Sequence, residues 1–288
     1  MNRKIAQMTR REFLRAAGVG VVGGVLATHL PDIAWGADNP YAPFRMGIQS
    51  YSLRAFKTEE ALKKTQELGL KYWEAYPAHF AVTEDDQMSR LYKQLLKKYD
   101  VRLVTYGVVD FHNNEEEARR IFNFARKMGI ETLSAYPKPN EFNMLDSLVS
   151  EYKVNIAIHN HGPGDDLYDL ISKGIKAIQG HDDRIGSCND TGHYLRSNED
   201  PVEAAKQFGK RTFGIHLKDV KDGANGAKDF TELGKGNLKT VELLKVLLAN
   251  NYKGILSLEY EEHPENPMPQ IQECLQVAKA AIAKATKR

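Results

Sequence analysis

The 288-residue chain carries 40 Lys and Arg against 38 Asp and Glu, a formal net charge of +2, with 42% hydrophobic and 27% charged residues. That composition excludes a low-complexity chain and leaves room for one large globular domain or two small ones. Its two cysteines, Cys188 and Cys274, fall far apart in different predicted elements, which excludes a disulfide framework.

The N-terminus reads as a separate segment. Arg10-Arg11 is followed by Phe13-Leu14 and then by the uncharged, Gly- and Val-rich run 16–27. That run is shorter than the about 20 residues needed to cross a bilayer, and it fits the apolar region of a signal peptide. Paired arginines before a weakly hydrophobic run resemble the twin-arginine export signal. Ala34-Trp35-Gly36-Ala37 supplies small residues for cleavage after Gly36 or Ala37. The expectation is a signal peptide over 1–37, a single domain over 38–288 and export to the periplasm; an uncleaved segment would instead anchor the protein. Residues 1–37 hold five of the 40 basic and two of the 38 acidic residues, so the remainder has 35 and 36, a net of −1. A near-neutral mature domain gives no electrostatic reason to expect nucleic-acid binding.

From Arg45 onward, short apolar runs alternate with helical patterns. A strand is expected over 46–51, then a helix over 58–68 with Thr58 as N-cap and Gly69 as its stop. Strand 72–76 and helix 83–98 follow, then strand 101–109 and helix 114–128, ended by Gly129. Strand 130–135 leads to a short helix over 144–152, and strand 154–159 to a helix over 167–179. Strand 185–190 ends in Asp190 and turns at Gly192; helix 201–208 has Asp200 as N-cap and Pro201 at its first position. Strand 212–217 precedes a long polar loop over 218–237, a helix over 238–250, strand 254–260 and a final helix over 269–285.

Eight strand–helix units in order imply a parallel sheet with helices outside. About 250 residues is the usual size of a closed (β/α)8 TIM barrel. A doubly wound open sheet would place a Gly-rich phosphate loop after its first strand, where this chain reads Gln49-Ser50-Tyr51-Ser52-Leu53.

Barrel enzymes build their sites from the C-terminal ends of the strands. In order, the exits present Gln49 and Tyr51; Glu74, Tyr76 and His79; Tyr106 and Asp110; Tyr136 and Lys138; His159, Asn160 and His161; Asp190 and His193; His216 and Lys218; Glu259 and Glu261. Four of the nine histidines fall at three adjacent exits, too many for surface scatter. Carboxylate oxygen and imidazole nitrogen at strand mouths suit a divalent Mn, Mg, Co or Zn ion. Asp190, His216 and Glu259 each close a strand whose earlier residues are apolar. Tyr51, Glu74, Tyr136 and Lys138 are expected on the pocket rim as substrate-binding groups. His79 and His263 read as surface loop residues, and Asp219 as a loop cap.

The series Asp190-Thr191-Gly192-His193, Gly214-Ile215-His216-Leu217-Lys218-Asp219 and Leu256-Ser257-Leu258-Glu259-Tyr260 resembles the sugar-phosphate isomerase/epimerase family of xylose-isomerase-like barrels, over nearly the whole chain from Arg45. Each motif is weak alone; their order at strands six, seven and eight carries the resemblance. It implies a divalent metal held by a strand-five Glu, a strand-six Asp, a strand-seven His and a strand-eight Glu, and so assigns Asp190, His216 and Glu259. Many relatives read Leu-Ala-Leu-Glu-Asn-His at strand five, where this chain reads Ile156-Ala157-Ile158-His159-Asn160-His161. His159 therefore stands in the Glu position. An imidazole binds metal but does not easily serve as the second carboxylate base of an epimerase.

What the resemblance implies is metal-assisted α-proton abstraction from a carbohydrate through an enediolate, with isomerisation or epimerisation as the family default. Glu259 is the expected base, and His161, His193 or Lys218 the expected acid. The alternative is a lyase, dehydratase or hydratase acting on a keto-sugar or 3-keto-glycoside, since the His-rich strand five resembles the dehydratase branch; a further alternative is a non-catalytic carbohydrate-binding barrel. Export argues against phosphorylated substrates and against the DNA repair of the distantly related endonuclease IV. Homodimers are common among such barrels, and no membrane span is expected in the mature form.

Overall fold

The alternation of buried strands and amphipathic helices closes on itself. In the computed structural model, which describes residues 39–223 and 227–287, eight parallel strands form a closed barrel. They are β1 (Arg45–Gln49), β2 (Tyr72–Ala75), β3 (Arg102–Val109), β4 (Thr132–Ala135), β5 (Asn155–His159), β6 (Ile185–Asp190), β7 (Thr212–Leu217) and β10 (Ile255–Leu258). Neighbours pair in sequence order, and β10 closes the ring between β7 and β1. Strands enclosed on both faces have no solvent side, and every residue of β2, β4, β6 and β10 is buried, the polar ones included. The expected signal segment over 1–37 lies outside the described residues.

The helices are α1 (Thr58–Glu67), α2 (Asp86–Lys98), α3 (Glu115–Met128), α4 (Phe142–Tyr152), α5 (Ile171–Ile178), α6 (Thr191–Arg196), α7 (Pro201–Phe208), α8 (Thr240–Ala249) and α9 (Met268–Ala285). Their apolar stripes cover the barrel; α2 buries Leu91, Tyr92, Leu95 and Leu96. Local chemistry sets the ends. Asn114 accepts from the Glu117 N–H to start α3, and Gly129 at φ 75° ends it in the left-handed region that glycine enters freely. Asp200 caps α7 by accepting from the Val202 N–H.

Four expectations are corrected. Thr58 does not cap α1: its hydroxyl donates to the His79 carbonyl at 2.7 Å, and Lys57 stands at the N-cap. The helix expected over 167–179 starts only at Ile171, because Asp165 draws the Leu167 and Tyr168 N–H groups into a turn. The turn at Gly192 is instead the start of α6, whose N-cap Asp190 accepts from the His193 N–H at 2.8 Å. The loop over 218–237 contains an antiparallel hairpin, β8 (Asp219–Asp222) with β9 (Lys228–Thr231). Asp219 fastens the chain beyond it, its carboxylate accepting from the N–H groups of Gly234, Gly236 and Leu238.

Among the described residues no helix is long and apolar enough to cross a membrane.

Candidate metal centre at the barrel mouth

The last residues of β5 and β6, the fifth of β7 and the first beyond β10 point into one volume. There His159, Asp190, His216 and Glu259 each offer a ligand atom, all within 4.8 Å of one another and all buried. Register produces this convergence, since Asp190 pairs with His216, and His216 with Ser257, two residues before Glu259. His159 Nε2 lies 3.0 Å from His216 Nδ1 and 3.4 Å from Asp190 Oδ2. Glu259 Oε2 lies 3.1 Å from His216 Nδ1.

The ring of His216 is aimed from behind. Its Nε2 donates to Glu74 Oε1 at 3.0 Å, which leaves Nδ1 facing the cluster. Glu74 also accepts from Ser134 and Ser257, each at 2.6 Å. A carboxylate that holds the far nitrogen of a ligating histidine fixes its tautomer and raises its basicity. The rim position expected of Glu74 is therefore corrected: it is 0% exposed, beneath the site. Burial alone would raise its pKa, but His216 and the two serine hydroxyls hold it below the ordinary glutamate value. Glu74, Cys188 and His216 also lie close enough to share an ion. The three bonds already made to Glu74 mark it as support for His216 instead.

Lys218 supplies the countercharge. Its Nζ lies 2.9 Å from Asp190 Oδ2 and 2.8 Å from Glu259 Oε2, and it also contacts Glu261. Burial opposes all these charges, yet the pairing prevails: Asp190 is held well below the ordinary carboxylate range, Glu259 falls to about 2, and Lys218 is raised well above its usual value. Burial likewise opposes charge on His216, but Cys188, Glu74 and Glu259 raise its pKa well above the ordinary histidine value. Burial lowers that of His159. Despite these close contacts, neither Asp190 Oδ2 nor Glu259 Oε2 has a well-angled hydrogen bond. Two such buried oxygens facing two imidazoles fit a divalent cation, and the mixed N and O donors suit Mn, Co or Zn as well as Mg.

The remaining candidates lie around this centre. His193 Nε2 stands 4.0 Å from Asp190 Oδ2, and burial lowers its pKa to about 3. The His161 ring lies 4.9 Å from that of His159, and its Nδ1 is 3.1 Å from Asp165 Oδ2. Tyr136 donates to the other Asp165 oxygen at 2.7 Å and packs on His161, so these two form one rim unit. Tyr51 packs against Tyr76 and under Arg54, whose guanidinium donates to the Glu261 carbonyl. Lys138 turns away to Asp110 at 3.0 Å, outside this group. His79 is corrected from surface to core: it is 6% exposed, stacked on Trp73, with Nδ1 2.9 Å from Ser50 Oγ.

Sequence reasoning did not single out Ser134, Ser257, Arg196 or Phe230. Small hydroxyls inside apolar strands signal the first two. The Phe230 ring meets His193 and Lys218 from the hairpin that lies within the expected loop.

Comparison with known proteins agrees with this architecture. A family model described as xylose isomerase-like TIM barrel matches residues 62–281. An inosose dehydratase of Clostridium botulinum (strain Eklund 17B / Type B) is 29% identical over 143 residues, 44% of this chain and 47% of that protein. The chain thus spans about half the length of such curated relatives. A solved structure from Parabacteroides distasonis superposes with a TM-score of 0.64 at 27% identity, covering 81% of this chain and 97% of that one. An L-ribulose 3-epimerase shares the fold at 17% identity, with a TM-score of 0.62 over 84% of this chain and 95% of its own. With the family match spanning most of its length and the closed parallel barrel in place, the chain belongs to the xylose isomerase-like TIM barrel family.

Proposed function

We propose that the protein is a divalent-metal-dependent lyase that removes water from a keto-sugar or keto-polyol. The observation that carries this reading is His159 at the exit of β5. Proton exchange across two faces of a ketose calls for a second carboxylate base, and the chain places an imidazole there. Elimination needs one base and one acid, and Glu259 Oε2 and Lys218 Nζ stand 2.8 Å apart. The likeness to inosose dehydratases supports the same choice, and the isomerase or epimerase expectation gives way to it.

A divalent ion held by His159, Asp190, His216 and Glu259 would supply Lewis-acid polarisation of the substrate carbonyl. Glu259 takes the α-proton, and the electron pair left on carbon conjugates with the carbonyl. That pair then expels the β-hydroxyl, which takes a proton from Lys218 and leaves as water. The proton on Glu259 returns to Lys218 across their contact, so the enone and water balance the substrate and no redox partner is needed. His193 and His161 line the approach and bind substrate hydroxyls. Arg10-Arg11 and the run after it support action after export, tested by N-terminal sequencing of periplasmic protein; an N-terminus other than Ala37 or Asp38 would sink the assigned cleavage.

The test is to measure metal content, then incubate the loaded protein with a keto-inositol in D2O and follow it by mass spectrometry and NMR. Loss of one water with an enone product is expected, with Asp190→Ala and His216→Ala each losing metal and turnover. An epimer that has gained deuterium, with no loss of water, would overturn the lyase reading.

A further inference from the structure

Arg196 ends α6 on the same face of the barrel as the metal centre. Its guanidinium lies over the Phe230 ring, 5.2 Å from the centroid. Lys218 lies over that ring too, at 4.8 Å, but three carboxylates neutralise it. Among the described residues Arg196 has no carboxylate at ion-pair distance and no hydrogen-bond acceptor.

The space in front of it is specific. A side chain at Gly162 would begin 3.1 Å from Arg196 Nη1 and 3.4 Å from His193 Nδ1. A Cβ there would crowd both nitrogens, so the glycine is what lets Arg196 Nη1 and His193 Nδ1 sit side by side against the backbone. His193 Nδ1 is itself buried without a partner. The same imidazole reaches towards Asp190 through Nε2, at 4.0 Å, so this pair of nitrogens adjoins the metal centre. A fork of guanidinium donors beside an unpartnered imidazole nitrogen is the chemistry that takes a carboxylate.

We propose that Arg196, with His193 and Gly162, forms an anion subsite, and that the substrate is an acidic keto-sugar whose carboxylate docks there while its carbonyl faces the metal centre. This rests on the lyase reading and narrows its substrate to sugar acids. Arg196 positions the substrate and takes no part in proton transfer.

The experiment is calorimetric titration of the metal-loaded protein with D-glucuronate, D-glucose and inorganic phosphate. D-Glucuronate is expected to bind at least about tenfold more tightly than D-glucose, the scale of a charge-assisted pair. Arg196→Met should erase that preference while retaining the metal, and Arg196→Lys should keep part of it. In a water-loss assay on acidic keto-sugars the Arg196→Met defect should fall mainly on KM. Equal binding of glucuronate and glucose, binding of neither, or unchanged discrimination by Arg196→Met overturns the subsite. Phosphate binding as tightly as glucuronate also overturns it, assigning the site to a free anion. Failure of the lyase reading shows up separately, as absent water loss with the glucuronate preference intact.

Discussion

Replacing Glu74 by Gln separates metal support from fold support. The carboxylate is 0% exposed and accepts three hydrogen bonds, from Ser134, Ser257 and His216. Glutamine keeps the volume and one acceptor, and the serine hydroxyls can rotate to accept from its amide. Each charge-assisted bond lost costs about 1.5–3 kcal/mol. Against that, a buried charge that was costing several kcal/mol in desolvation is removed. The two largely cancel, so the metal-free variant should unfold within about 2 kcal/mol of wild type. The metal has no such compensation. An amide is a weaker acceptor for His216 Nε2–H, so Nδ1 becomes a poorer and less firmly oriented ligand. Loss of such a partner typically weakens metal affinity about 10–100-fold, or about 1.4–2.7 kcal/mol. Chelator competition gives the affinity, and thermal unfolding of metal-free protein gives the stability. Metal affinity within twofold of wild type, beside a large drop in metal-free stability, would refute the argument and leave Glu74 as core structure only.

Three further outcomes are expected. Lys218→Met removes the ammonium that would compete with a cation for Asp190 Oδ2 and Glu259 Oε2, so metal affinity should rise about tenfold while water loss falls about 10²–10⁴-fold; weaker metal binding, read by chelator competition, would show that the ammonium does not compete. Burial holds the His79 pKa at about 4, below its unfolded value of about 6.5, so the neutral ring stabilises the fold above pH 6.5 and that contribution, at most about 3 kcal/mol, is lost as pH falls from there towards 4. Urea midpoints across that window should fall more steeply for wild type than for His79→Gln, and parallel slopes would count against it. Asp219→Ala strands the N–H groups of Gly234, Gly236 and Leu238 and should cost about 3 kcal/mol, with faster amide exchange over 234–238; unchanged exchange would mean that other contacts hold the segment.

The barrel was legible because alternation is a chain-wide property: each apolar run between helical patterns could only be a strand buried on both faces. Asp190, His216 and Glu259 were legible for a related reason, since a polar residue that ends an apolar strand has few places to point but the mouth. Glu74 was misplaced because a carboxylate inside an apolar strand reads as exposed until its donors are known, and Ser134, Ser257 and His216 come from three other strands. His79 was misread for the same lack: stacking on Trp73 and bonding to Ser50 are tertiary facts. The β8–β9 hairpin was hidden by its composition. Its Lys- and Asp-rich strands lack an apolar alternation, and among the described residues they form a two-stranded sheet apart from the barrel.

Asn160 has a consequence for how such a site can diversify. Its side-chain amide accepts from the Asp190 N–H at 2.8 Å and donates to the Asp190 carbonyl at 3.0 Å, copying one rung of peptide ladder beyond the end of β5. The backbone that pairs residue 159 with Cys188, within reach of Asp190, is thus stitched by its neighbour as well as by the side chain at 159. On such a frame a carboxylate at 159 would ride on the same backbone as the imidazole, held in place from residue 160.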